Sequence, residues 1–266
     1  MRIWYQLVSS ESGRGPFLST LQQLCDGASA PGTKVEVRGT QHGALGDQLR
    51  IVYHYDLREI IDNGLRVRKS GDYDAFVIAN SLDGALVELR EILDIPVLSF
   101  MDVACSVAAQ MGEKVGVLSP YQRMSPRYRE ISCGYLPAEK LAAVESVMPE
   151  AVPGFRDAFA IPEAGDKAIE QIFAAGRRAL DKGADVLIPA GPAAALLAHR
   201  GIFELDGAPL LDVYRLLVKY AEMMVAMQKL TGQHVSRRLM YQKPPADTLA
   251  QIADARGIDL LREPQA

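Results

Sequence analysis

The sequence predicts an α/β fold of mostly parallel sheets flanked by helices, arranged as two similar, pseudo-twofold-related lobes with a ligand cleft between them. Runs such as DAFVIAN and GADVLIP are continuously apolar. A strand with one wet face would alternate, so these read as strands covered on both faces, as in parallel sheets. Each run is followed by an amphipathic stretch, the order expected when helices carry the chain back over a parallel sheet. That order then occurs twice along the chain.

In the first half, RIWYQLV precedes a helix-like PFLSTLQQLC, KVEVRG precedes YDLREIIDNGLRVRKSG, DAFVIAN precedes GALVELREIL, and IPVLSF precedes VACSVAAQMG. Gly71, Gly112 and Gly183 each stand between a helix-like stretch and a strand, where a helix-ending glycine belongs. In the second half, KVGVLSPYQ (114–122) is similar to RIWYQLVSS (2–10), and GADVLIPAGPAAALL (183–197) to GDYDAFVIANSLDGAL (71–86). APLLDV then takes the place of IPVLS. A second strand about 75 residues after the first, and a third about 20 further on, is too long a period for a solenoid and suits a duplicated lobe. The expected division is 1–100 plus about 215–266 for one lobe and 101–214 for the other.

Composition narrows the function. The chain has 266 residues, 48% of them hydrophobic, and a net charge of −4. That is enough apolar material for two packed lobes. Charges of both signs are interleaved with no long basic run, which argues against nucleic acid as partner. MRIWYQLVSS is too short an apolar run for a secretory signal, and no segment reaches the ~20 apolar residues that span a bilayer. A cytoplasmic protein without membrane contact is expected. Cys25, Cys105 and Cys133 have no CxxC spacing, and His42, His54, His199 and His234 form no HxH or HExxH pair, so neither a metal nor another cofactor is expected.

Open α/β sheets bind ligands at the carboxyl ends of their strands. Asn80-Ser81 and Gly191-Pro192 end equivalent strands, and each leads into a helix whose free N–H groups favour a carboxylate or phosphate. Asn80 and Ser81 equally suit a plain helix cap. Asp83 is a candidate general base that also fits the positive end of a helix. Tyr53, His54 and Tyr55 stand just ahead of an amphipathic stretch. His54 has the neutral-range pKa of a general base and the tyrosines can bind a ligand oxygen, although the same residues suit a loop closing the core. The C-terminal stretch from GQHVSRRLMYQ onward reads as a packing or dimerisation extension, with His234, Arg237 and Arg238 on its surface.

DAFVIANSLDGALVELREILDIPVLSFMDVA resembles the strand, nucleophile turn, helix and next strand of the aspartate/glutamate/hydantoin racemase superfamily. Its hydantoin and allantoin racemases read approximately D-A-[IV]-V-I-A-C-F-x-D-P-G-L, then D-I-P-V-x-G-x-x-E-A. Asp83, Leu86, Asp94-Ile95-Pro96-Val97 and Asp212 match, Asp102 replaces the Glu, and the similarity extends over residues 1 to about 230. The resemblance implies a two-lobed, cofactor-independent, oligomeric enzyme acting on a small carboxylate or cyclic amide. It also implies substrate contacts from the turns after the first strands, which fall on Gln6, Ser9 and Ser10 in one lobe and on Ser119 and Tyr121 in the other.

The departure is at the chemistry. Where the family carries one thiol at each strand end, this chain has Asn80 and Gly191. An amide is no base at neutral pH and glycine has no side chain. The remaining cysteines read as structural. Arylmalonate decarboxylases, in the same superfamily, keep one thiol and cradle a carboxylate with neutral donors. Hydrolysis or decarboxylation is therefore expected ahead of two-thiol racemisation, with Asn80, Asp83 and His54 as catalytic candidates. Two alternatives are a binding protein that has kept the cleft without the chemistry, and an isomerase using other acids and bases.

Overall fold

The computed structural model describes residues 1–11, 15–43, 48–148 and 154–262. Its strands are the continuous apolar runs. β1 (Arg2–Ser10), β2 (Lys34–Thr40), β3 (Ala75–Ile78) and β4 (Val97–Ser99) form one parallel sheet in the order β2-β1-β3-β4. β5 (Val115–Tyr121), β6 (Leu141–Met148) and β7 (Val186–Pro189) form a second parallel sheet in the order β6-β5-β7. A parallel bridge from Leu187 to Leu210 extends the second sheet on the side where β4 extends the first. The repeat read from the sequence is thus a repeat of topology. Tyr5 sits between Val37 and Val77 in the first sheet, as Val117 sits between Val144 and Ile188 in the second. Every residue of β3 and β7 is buried, which is why neither run alternates.

Helices cover both sheets: α1 (Pro16–Ala28), α2 (Arg50–Ser70), α3 (Leu86–Ile92) and α4 (Phe100–Met111) in the first half, then α5 (Ser125–Tyr135), α6 (Gly154–Ala158), α7 (Pro162–Leu180), α8 (Pro192–His199), α9 (Val213–Thr231) and α10 (Ala246–Arg256). A two-residue hairpin, β8 (Glu204–Leu205) with β9 (Ala208–Pro209), lies between α8 and α9. The helix that ends each repeat crosses to the other sheet. α4 leaves β4 and packs on β5, β7 and α5, whereas α9 follows the Leu210 bridge and packs on α1, β3 and β4. The two crossing helices also pack on each other, with Phe100 and Tyr214 edge to face at 5.3 Å. One apolar core, from Ile3 and Val77 to Val117 and Val218, runs through both lobes. Among the described residues no helix is long and apolar enough to cross a membrane.

The three glycines between helices and strands act differently. Gly71 ends α2 in the left-handed conformation, its N–H on the Val67 carbonyl at 3.2 Å. Gly183, just beyond α7, is also left-handed. Gly112 is extended, and its reason is space, since a Cβ there would lie 2.4 Å from Asp185 Oδ1. Two boundaries differ from the sequence reading. α2 starts at Arg50, so Tyr53, His54 and Tyr55 lie inside its first turns and not ahead of it. α3 starts only at Leu86, after a turn in which Asp83 (φ 52°) and Ala85 (φ 71°) are left-handed.

Gly116 shows how closely α7 approaches the second sheet. A Cβ on this β5 residue would meet Leu187 Cδ2 at 2.8 Å, Ala179 Cβ at 2.9 Å and Ala184 Cβ at 3.0 Å. Gly116→Ala should therefore cost about 1–3 kcal/mol of unfolding free energy by chemical denaturation, the usual range for overpacking.

Candidate functional site

The carboxyl ends of the central strands meet at a pocket of about 160 Å³, close in size to an engineered cavity of roughly 150 Å³ that takes benzene. Ser9, Phe17, Asn80 and Ser81 line it from the first lobe, and Tyr121, Met124, Tyr128, Gly191 and Pro192 from the second. Tyr214, at the start of α9, adds a further wall. The two strand ends come within van der Waals range, since a Cβ on Gly191 would sit 3.4 Å from Ser81 Oγ and 3.5 Å from Pro120 Cγ. Space alone would admit a side chain there. The backbone, at φ 56° and ψ −135°, lies where only glycine is comfortable.

Asn80 is oriented by its neighbours. Its Oδ1 accepts the Leu82 backbone N–H at 2.9 Å and the Tyr53 hydroxyl at 3.0 Å. A backbone N–H can only donate, so the atom facing it is the amide oxygen, and the Nδ2 amine takes no part in these two bonds. Tyr53 in turn accepts the Gly84 N–H at 3.1 Å. Its ring is buried beneath the Arg127 guanidinium, 4.5 Å from the centroid. Burial holds the Tyr53 phenol well above its ordinary pKa, so it keeps its proton and stays a donor. Beside Asn80, Ser81 Oγ lies 2.6 Å from the Tyr128 hydroxyl across the lobes.

Of the residues expected at the site, the structure brings together Ser9, Asn80, Ser81, Tyr121, Gly191 and Pro192. Tyr53 stands behind Asn80 and outside the pocket lining. His54 and Tyr55 lie on the exposed face of α2, Tyr55 with 73% of its surface in solvent. Asp83 is turned away to the first turn of α4, where its carboxylate accepts the N–H groups of Met101 (2.8 Å) and Asp102 (2.9 Å). Gln6 is consumed between strands, giving its amine to the Leu7 and Gly39 carbonyls and receiving Trp4 and Asn63 on its oxygen. Ser10 bonds the Gln41 carbonyl and Ser119 the Tyr121 carbonyl. Asp102 pairs with Arg90 at 2.6 Å, away from this pocket.

The sequence reading missed Phe17, Met124, Tyr128 and Tyr214, aromatic and apolar residues from helices or turns far apart in the chain. Among the described lining residues there is no Asp, Glu, His, Cys, Lys or Arg. The polar lining is all neutral: one amide, serine and tyrosine hydroxyls, and strand-end backbone. Cys25 and Cys105 are buried elsewhere, and burial pushes both thiols up, Cys105 to about 12. Cys133 is exposed on α5. Among the described residues, no three of His, Cys, Asp or Glu gather as metal ligands would.

A two-lobed α/β protein with its pocket at opposed strand ends is the architecture of the racemase superfamily. The chain belongs to the Asp/Glu/Hydantoin racemase family, whose model matches residues 17–221. A comparison with curated proteins gives no match. Among solved structures, allantoin racemase from Klebsiella pneumoniae superposes with a TM-score of 0.76 at 20% identity, over 92% of this chain and 94% of that one. Allantoin racemase from Pseudomonas fluorescens gives 0.73 at 19%, over 92% and 97%. An unliganded arylmalonate decarboxylase gives 0.50 at 14%, over 85% and 93%. At these identities the likeness is one of fold.

Two outcomes follow from the contacts around Asn80. Tyr53→Phe removes the donor on Asn80 and the acceptor for Gly84, and should lower unfolding free energy by about 1–2 kcal/mol. His54→Ala, on the exposed face, should stay within about 0.5 kcal/mol of the parent in the same denaturation experiment. Asp83 supplies a pH signature. Burial pushes its carboxyl up from 3.8 to about 6 against the pull of the two N–H donors and of the Ser99 and Tyr135 hydroxyls. Protonation therefore favours the folded state. The resulting stability is complete below the ordinary carboxylate pKa and lost as pH rises through about 6. Melting curves between about pH 4 and pH 7 should show a decline in the parent that Asp83→Asn lacks.

Proposed function

We propose that the pocket takes a small carboxylate or cyclic amide and that the reaction it best supports is decarboxylation of an acid whose carbanion is delocalised onto a neighbouring carbonyl. One observation carries this reading: the described lining offers neutral hydrogen-bond donors and no side chain that titrates near neutral pH. Racemisation needs an acid and a base on opposite faces of one carbon, and Asn80 and Gly191 supply neither. Hydrolysis needs a base to activate water, and the two candidates, His54 and Asp83, face elsewhere.

Decarboxylation makes a smaller demand. The bond between the α-carbon and the carboxylate breaks, carbon dioxide leaves, and the electron pair moves into the adjacent carbonyl to give an enolate. The Asn80 amine and the Ser81 hydroxyl are placed to hold the enolate oxygen, where preorganised donors in a dry site act most strongly. The α-carbon then takes a proton from water, or from the hydroxyl pair of Ser81 and Tyr128, which water reprotonates. Substituted malonates, the substrates that the name of one structural relative suggests, carry the carboxylate this step needs, and cyclic ureides, suggested by two others, could bind without reacting in this way. The same lack of titrating groups also favours a second reading, binding without turnover.

Incubation with substituted malonates, allantoin and hydantoins in D₂O separates these readings. Carbon dioxide release from the malonates, with deuterium in the product, is expected. Exchange at the α-carbon without carbon dioxide would restore racemisation, and thermal stabilisation with neither would leave binding alone. Asn80→Asp keeps the oxygen that Leu82 and Tyr53 need while removing the amine donor. It should lower kcat/KM by about 10²–10³ with little change in Tm, a loss typical of one oxyanion donor.

A further inference from the structure

A second cavity, of about 320 Å³, lies on the other side of α4 between that helix, α9 and the C-terminal segment around His234 and Tyr241. It shares no residue with the strand-end pocket. Its buried floor is apolar, with Val97, Leu98 and Val103, and Met223 and Met224 line its side. Its polar rim is Arg90, Asp102, Ser106, Tyr220, His234 and Tyr241.

The polar rim is already held in place. Arg90 donates from Nη2 to Asp102 at 2.6 Å and from Nε to the Val97 carbonyl at 3.0 Å. The His234 ring lies between Gln228 Nε2 at 3.2 Å and Arg237 Nη2 at 3.3 Å. Arg237, expected on the surface, pins the segment that forms the far wall. Its Nη1 reaches the carbonyls of Arg90 (2.9 Å), Glu91 (3.0 Å) and Tyr241 (3.2 Å), and its Nη2 that of Leu93, satisfying the free carbonyls that end α3. A preformed cavity of this kind binds without first ordering its walls.

We propose that this cavity is a second ligand site, and that its ligand is an uncharged bicyclic aromatic molecule carrying one polar group. Charge sets the first part, because Arg90 and Asp102 cancel and an ionic ligand would have to break their contact. Size sets the second, since the volume is about twice that of a benzene-sized cavity. The walls suit a ring, with methionine sulfurs adaptable against an aromatic face and a guanidinium able to stack on one. On the rim, Ser106 Oγ donates to the Asp102 carbonyl at 2.8 Å and keeps its lone pairs as acceptor, and the Tyr220 side chain stands beside it.

Indole is the probe. Calorimetric titration of the full chain should show saturable binding of one indole per chain. Ser106 is exposed on α4, so Ser106→Trp can close the mouth without disturbing the core and should weaken binding at least about tenfold. Met224→Trp, which fills the cavity from its wall, should do the same. Ser9→Trp, which obstructs the strand-end pocket, should leave indole affinity unchanged. Absence of saturable binding would overturn the proposal, as would loss in Ser9→Trp with retention in Ser106→Trp, which would place the ring in the other pocket. Binding that emerges only when the protein is diluted would assign these residues to a contact between copies of the chain and would also overturn it.

Discussion

Two hydrogen bonds to one oxygen decide what the strand-end pocket can do. The Leu82 backbone N–H and the Tyr53 hydroxyl both donate to Asn80 Oδ1, and the first of them cannot reverse its role. The amine takes no part in either bond, and Asn80 lines the pocket. Tyr53 is fixed in turn by the Gly84 N–H and by the Arg127 guanidinium above its ring. The turn after β3, the orientation of Asn80 and the approach of α5 from the second lobe thus constrain one another. The orientation of Asn80 is set by the fold before any ligand arrives.

The opposite wall matters for what it omits. Gly191 offers backbone, held in a conformation that side chains avoid, and the neighbouring hydroxyls are paired as Ser81 with Tyr128. A carboxylate entering such a space meets no countercharge among the described lining residues. In the proposed reaction that charge would spread onto an enolate, which neutral donors hold more strongly as water is excluded. A neutral wall is a weak place to move a proton between two carbons. That is the ground on which decarboxylation is proposed.

How far the sequence could be read depended on whether the deciding physics was local. Fully buried strands announce themselves as unbroken apolar runs, so β3 and β7 are legible in the sequence, and Asn80 and Gly191 follow just beyond their ends. On α2 the helical period itself sorts the aromatic residues. Tyr53, Asp56 and Ile60 are buried at steps of three and four, which turns His54 and Tyr55 outward; starting the helix after them hid this. Gln6 sits where the β1–β2 register slips, and its amide is spent on that irregularity. Asp83 looked like a base because nothing nearby in sequence shows that α4, 17 residues on, presents its free N–H groups there. Phe17, Met124 and Tyr128 carry no local mark either. They become walls only when α1 and α5 are brought to the same strand ends.

The exchange of α4 and α9 between the sheets has a consequence for ancestry. Each repeat contributes a terminal helix to its counterpart, which packs there beside the counterpart's own helices. Such an arrangement is what two identical half-length chains adopt when they swap their last helix in a closed pair. Joining the end of one to the start of the other would turn a symmetric swapped dimer into a single polypeptide. The two pocket walls could then diverge independently, and one of them now presents an amide while the other has no side chain at all.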